Sequence, residues 1–410
     1  MTDMTALLDR LTRKPWQKAV FHLIFLFPVL GAVVSKLTRH RHLLNDYDAL
    51  ACGAWSLERH LSPYARHPAC PGLDPAPFVY APQVGRGFIP FIDLFGLEPS
   101  RLVWLVIVVP AMLFLVWFAL LKAMPRAPYA LRLMTLAAIA GSAVTCGNVG
   151  FVLNAVVIGC ALMMRRSRVP FIAAVVLSAL IKPVMLTYLF ILLCEDRPVR
   201  SRIVAAVAGA IAGLAGVAVV FATAGPLSSD WHALMTFILG QQPGVGFLSY
   251  TSLIGLPASS PATMVLLALF LGIIGLSGFV LAEWSGLSRD ERIVLGIGIA
   301  QLLNPRLMDY DMLGLAPFVA LLIMLSRSFG DRLHARMGWI FAATLIGCVV
   351  TNLLEVPVLH RAPMTVFVYC GLTVWLSSVV ALRHRAAISL KIVRTINKVF
   401  YASPSNTSAS

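Results

Sequence analysis

The sequence predicts an all-α polytopic membrane protein, and three observations predict it. Apolar residues make up 59% of the 410-residue chain and charged residues only 12%, whereas soluble domains carry about 25% charge. Apolar stretches recur at or near the roughly 20 residues a helix needs to cross a bilayer. These stretches are rich in Leu, Val and Ala and do not alternate. That selects helices over closed barrels, the other architecture that satisfies its backbone in lipid. The 33 Lys and Arg against 18 Asp and Glu give a formal net charge of +15. In a membrane protein this excess belongs to cytoplasmic loops and implies no nucleic-acid partner.

Residues 1–18 form a basic lead-in with Arg10, Arg13, Lys14 and Lys18. The first apolar run, 19–35, has no small-residue cleavage site and reads as a retained span. A long, proline-rich polar loop over 36–100 follows. Later spans are expected near 102–121, 131–146, 149–164, 169–181, 184–194, 203–223, 263–283, 292–303, 312–326, 337–354 and 364–382, with a second loop over 224–262. The pieces 169–181 and 184–194 are too short to cross alone and are divided by Lys182-Pro183. They are expected as half-depth or tilted helices meeting at one face, the alternative being one helix kinked at Pro183. This gives about 12 membrane helices.

Basic residues set the orientation. With residues 1–18 inside, most Lys and Arg fall on the same side, in the groups 122–132, 165–168, 197–202, 289–292, 327–336 and 383–398. Reading 169–194 as one span would invert every later loop and erase that bias. The expected topology is N-in, C-in, with both long loops outside. Residues 1–382 form a single membrane domain, and 383–410 read as a basic interfacial helix with a disordered end. Seven cysteines are scattered. Cys52 and Cys70 share the first loop and can pair in an oxidising compartment. No CxxC or Cys/His cluster suggests a metal.

In this topology the unusual polar residues gather on one face. Asp46 and Asp48 follow the first span in RHLLNDYDALACGAW, and Tyr80 and Gln83 lie in FVYAPQVGRG. Asn148 ends CGN, Lys182 divides the short spans, and Gln241 lies in GQQPGVGFLSYTS. Arg306, Asp309 and Asp311 lie in NPRLMDYD. A Lys or Asp at the centre of a membrane helix costs about 2.5–3.5 kcal/mol on insertion scales, so the clustering suggests one outward-facing site near the boundary. Each residue also has a structural reading. Asp46 or Asp48 can cap a helix starting near Ala49, and Lys182 can snorkel to headgroups. Asn148 can satisfy helix ends, and Arg306 can pair with Asp309 or Asp311. Trp55, Trp231 and Tyr64 fit interfacial aromatics.

In order, these motifs resemble a known family. Asp46 follows the first span, and Tyr64 of SPY comes 18 residues later. FVYAP is next, then CGNVGFVLNAVVIGCALMMRRSR, FIAAVVLSALIKPVMLTYLFILL, the Ser-containing FLSYTSLIGL, and NPRLMDYDMLGLAPF. Over residues 20–326 the pattern is similar to the polyprenyl-phosphate-mannose-dependent α-1,2-mannosyltransferases of the GT-C superfamily. It departs at three places. Leu50 stands where the family often has Tyr, the Tyr-Pro-Pro element reads Tyr80-Ala81-Pro82, and the Gly-Gln pair reads Gly147-Asn148.

The resemblance implies a GT-C fold in the cytoplasmic (inner) membrane, with the site facing the periplasm or cell exterior. It implies a polyprenyl-phosphate sugar as donor substrate, a lipid or glycan acceptor, surrounding membrane lipids and no cofactor. An acceptor hydroxyl would attack the anomeric carbon with inversion as polyprenyl phosphate leaves. Asp46 would be the general base, with Asp48 as its alternate. Lys182, then Arg306, helped by Arg41 or Arg39, would face the donor phosphate. Tyr80, Asn148, Gln241 and Tyr64 would bind sugar or acceptor. A monophosphate leaving group requires no metal. Arabinofuranose, glucose or galactose donors are the alternatives within this class. A transporter or lipid flippase would more typically show mid-span charges and two similar halves, and a non-catalytic scaffold would leave Asp46 replaceable.

Overall fold

Apolar runs set where helices lie, and proline, glycine and small polar residues set where they start and stop. The computed structural model describes residues 4–38, 44–137, 146–242, 244–353 and 361–385, and every assigned element among them is helical. In chain order these are α1 (Met4–Leu11), α2 (Pro15–Thr38), α3 (Asn45–Glu58), α4 (Pro82–Phe95), α5 (Ser100–Trp117) and α6 (Tyr129–Ala137). Then come α7 (Gly150–Met163), α8 (Val169–Ile181), α9 (Phe190–Cys194), α10 (Val199–Ala222), α11 (Ser228–Gln241) and α12 (Phe247–Leu253). The last are α13 (Pro261–Trp284), α14 (Arg289–Leu302), α15 (Leu315–Ser326), α16 (Asp331–Leu353) and α17 (Arg361–Arg383). Local chemistry explains several starts. Ser260 accepts from Thr263 N–H ahead of Pro261, and Ser288 with Glu291 forms a reciprocal capping box on α14.

Five described segments are long and apolar enough to cross a bilayer: Ser100–Lys122, Val199–Ala222, Pro261–Trp284, Tyr310–Phe329 and Met364–Arg383. Leu102, Val106, Ile211, Leu214, Leu269 and Leu276 stand exposed on the first three. Apolar surface on that scale is tolerable in lipid and a liability in water. The chain is a membrane-embedded helical protein.

Within that belt lies a bundle of short helices. α7, α8 and α14 have 13 or 14 residues, which is about 20 Å at 1.5 Å per residue, and they pack with α15, the middle of the Tyr310–Phe329 segment. α14 is buried from Ile293 to Leu302 and α15 from Leu315 to Ile323, so these two form the centre of the core. A Cβ added at Gly298 would collide with the Phe318 ring, and its absence lets α14 and α15 approach.

The expected split at Lys182-Pro183 is present. α8 ends at Ile181, and Pro183–Leu189 is a 3-10 helix leading into α9. The far ends of this unit meet, because Arg168 before α8 forms an ion pair with Glu195 after α9. Residues 169–194 therefore double back as a hairpin with Lys182 at its tip, which removes the single-kinked-helix alternative. The first long loop is more ordered than its composition suggests. It holds the 14-residue helices α3 and α4, which pack on each other, and Cys52 pairs with Cys70 across 5.8 Å between Cα atoms. α11 occupies the second loop. The expected span end at 138–145 and the tail beyond residue 385 lie outside the described residues.

Gly298→Val should lower stability by about 1–3 kcal/mol through overpacking. Gly272→Val, at a site with open space around it, should change it little. Thermal unfolding in detergent compares the two.

Candidate active site

The hairpin tip brings Lys182 to residues far away in sequence. Its Nζ donates to Asn148 Oδ1 at 3.0 Å and to both carboxylate oxygens of Asp311 at 3.3 Å. It also lies 4.7 Å from the centre of the Tyr310 ring, a cation–π distance. Lys182 is thus paired within the protein, and the snorkelling reading does not hold. Asn148 has two jobs. Its Oδ1 accepts from Gly150 N–H at 2.7 Å, satisfying the first turn of α7, and its Nδ2 donates to Asp46 Oδ2 at 2.8 Å.

The chain of bonds continues into the core. Asn154, one turn along α7, donates to Asp311 Oδ1 at 3.3 Å and to Gly150 O at 2.8 Å. Tyr188 hydroxyl donates to Asn154 Oδ1. Gln301 Nε2 donates to the Tyr188 oxygen at 3.0 Å and to Asp311 O at 2.7 Å. Gly150 sits in the middle of this knot. A Cβ there would lie 2.5 Å from Asp311 Oδ1 and 2.8 Å from both Asn148 Oδ1 and Lys182 Nζ.

The two neighbouring aspartates part company. α3 begins at Asn45, earlier than expected, so Asp46 and Asp48 lie in its first turn, and no side chain caps it. The helix dipole favours negative charge there. Leu44, just before, has φ of +74°, a left-handed conformation that costs a non-glycine residue strain and recurs at functional sites. Asp46 is partly exposed and faces Asn148. Asp48 is 0% exposed, pairs with Arg101 Nε at 3.0 Å and accepts from Asp74 N–H at 3.2 Å.

The remaining candidates divide. Tyr80 is buried beside Asn148, Asp46 and Asp311. Burial first, then the two carboxylates, pushes its hydroxyl far above the usual tyrosine range. Tyr64 is buried too and donates to Tyr80 O at 3.0 Å, so it supports the Tyr80 backbone. Arg306 lies on the segment before Tyr310, and its Nε donates to Gln242 O at 3.2 Å. Burial lowers its pKa, against the opposing pull of Tyr310, Asp311 and Asp46. Asp311 pairs with Lys182 in place of Arg306, and the other expected partner of Arg306, the Asp309 side chain, lies outside what the structure describes. Val245 N–H meets Leu307 O at 2.7 Å and Leu248 N–H meets Pro305 O at 2.9 Å. These bonds bring the second long loop onto the Arg306 segment. Gln241 is exposed at the end of α11, and its neighbour Gln242 makes the contact instead. Arg41 and Arg39 lie outside the described residues. Trp231 is buried within the protein, stacked on Phe221 at the end of α10, with its indole donating to Val79 O at 3.3 Å.

An apolar groove of about 280 Å³ adjoins the tip. Ile181 and Pro183, the residues flanking Lys182, line it with Val217, Val220, Trp231 and Met235. Asn154, Tyr188 and Gln301 escaped the sequence reading. Their signal was a lone polar side chain inside an apolar helix, the pattern that marks buried networks in membrane proteins. Comparison of the chain with family models, curated proteins and solved structures returns no match.

Asp311→Leu should cost about 3–5 kcal/mol by leaving a buried ammonium without its carboxylate. The double variant K182M/D311L should recover most of that loss, read as thermal unfolding in detergent.

Proposed function

We propose that this chain is a membrane glycosyltransferase of GT-C type. It moves a hexose, mannose in the first instance, from a polyprenyl-phosphate sugar to an acceptor hydroxyl with inversion. The observation that carries this reading is Asp46. It is a partly exposed carboxylate held by Asn148 in a network with Lys182, next to an apolar groove bounded by the neighbours of Lys182. A lipid-phosphate sugar needs those features side by side: a base, polar fixing groups and an apolar trough.

The acceptor oxygen attacks the anomeric carbon and its proton passes to Asp46. The bond from that carbon to the phosphate oxygen breaks, and the phosphate keeps the electron pair. Stabilising that charge falls to Arg306 before Lys182, because the Lys182 charge is already matched by Asp311 while Arg306 bonds a neutral carbonyl. Lys182 then holds Asn148, and Asn148 orients Asp46. Asp48 stiffens α3 through Arg101. The isoprenoid chain occupies the groove.

The topology belongs to the same reading: about 12 membrane helices, both termini in the cytoplasm and both long loops outside. The Cys52–Cys70 disulfide suits an oxidising exterior, and the basic loops suit a cytoplasmic interior. The site then faces the periplasm or cell exterior.

Transfer from radiolabelled polyprenyl-phosphate-mannose in membranes expressing the chain tests this. Asp46→Asn should insert normally and lose about 10²–10⁴-fold in transfer rate. Arg306→Gln should raise the KM for donor, and Asp48→Asn should lower stability. Equal transfer by wild type and Asp46→Asn overturns the base assignment. No consumption of donor by wild type overturns mannose and moves the same assay to arabinofuranose, glucose and galactose donors. Donor that crosses the membrane unchanged supports a transporter.

A further inference from the structure

The short helices that carry the polar network at one end carry a different cavity at the other. Arg165 after α7, Arg197 after α9, and Arg289 and Arg292 at the start of α14 line a cavity of about 180 Å³. Its wall is apolar below the guanidinium groups, formed by Met164, Ile191 and Ile293, all buried. Two carboxylates share the rim. Glu195 is engaged by Arg168 and lies 4.0 Å from Arg197, and Asp196 is exposed. Arg292 donates to Leu287 O at 3.2 Å and to Cys194 O at 3.1 Å. Those partners are neutral, so they hold the guanidinium in place without cancelling its charge. Four cations stand over an apolar floor, Arg197 in loose contact with Glu195, and the exposed carboxylate of Asp196 lies at the edge.

We propose that this cavity binds the phosphate group of an anionic phospholipid. The guanidinium groups recognise the phosphate with charge-assisted, forked hydrogen bonds. The first acyl methylenes lie on Ile191 and Ile293. The apolar floor selects an amphiphile over a free anion, and basic pockets between membrane helices are suited to anionic headgroups. The site lies at the opposite ends of α7 and α14 from Lys182 and is independent of the glycosyltransferase reading.

The test uses the purified full-length chain in detergent, with bound lipid counted by native mass spectrometry. The probes are dioleoylphosphatidylglycerol, dioleoylphosphatidylcholine and inorganic phosphate. The wild type should retain phosphatidylglycerol about tenfold better than phosphatidylcholine, and R165Q/R197Q/R289Q should lose about that factor. A charge-matched control, R126Q/R332Q/R336Q, removes three exposed cations outside the cavity and should retain lipid like wild type. Arg289→Gln alone, at an exposed side chain, serves if the triple variant does not fold, and it should also lower retention. Equal retention by the cavity variants and wild type overturns the site. An equal loss in the control overturns it in favour of diffuse attraction. Displacement of the lipid by inorganic phosphate at equal concentration overturns the phospholipid and leaves a free-anion pocket.

Discussion

The ammonium of Lys182 is the constraint on which the rest of the interior depends. A lysine carried into a membrane protein by a hairpin tip must be paired or pay a desolvation cost of several kcal/mol. Its partners come from 34 and 129 residues away, Asn148 before α7 and Asp311 before α15. Meeting that one demand fixes where α7, α8 and the start of α15 end relative to one another. The bonds then run on to Asn154, Tyr188 and Gln301, which lock α14 to the same point. A network closed in this way raises the penalty for any member that moves, because each would leave a buried polar group unsatisfied.

The same closure sorts two aspartates that look equivalent on paper. Asp46 and Asp48 are two residues apart on a helix, which turns their side chains about 200° from each other. One must face the hairpin tip and the other must face away. Asp48 meets Arg101 at the start of α5 and is sealed from solvent. Asp46 meets Asn148 and stays partly open. Helical geometry, more than any difference in residue type, seals one inside the protein and leaves the other partly open to solvent.

This also explains what could be read from the chain. The span 169–181 was legible to the residue because Pro170 opens it and Lys182-Pro183 closes it. The hairpin itself was favoured only by the charge balance of later loops, and the direct contact is the Arg168–Glu195 pair. α4 was missed because Gly85, Gly87 and Pro90 weaken its intrinsic propensity; packing against α3 and the aromatic cluster around Phe78 overrides that. In the site, Lys182, Asn148 and Asp46 stood out as polar groups near apolar runs. Their pairings did not, since Asp46 and Asn148 lie 102 residues apart. Arg306 and Asp311 suggested a local pair by sequence proximity, but the 3-10 helix Asp309–Gly314 carries Asp311 to Lys182 instead.

The length of the central helices adds a consequence for chemistry. α7, α8 and α14, at about 20 Å, fall short of the roughly 30 Å hydrocarbon core, whereas α15 lies within the 20-residue segment Tyr310–Phe329. The guanidinium cluster at Arg165, Arg197, Arg289 and Arg292 lies at the opposite ends of α7 and α14 from Lys182. At the Lys182 end the charges are largely withdrawn from solvent, the Lys182 and Asp311 side chains being 14% and 10% exposed. A recessed site is drier than one at the surface, and a lower local dielectric strengthens every charge interaction within it. For the proposed reaction, that suits a base positioned by a hydrogen bond, as Asn148 positions Asp46. It also requires each fixed charge to be compensated within the protein, which is what Asp311 does for Lys182. In the proposed reaction Arg306, whose Nε donates to the Gln242 carbonyl, is the cation that meets the donor phosphate.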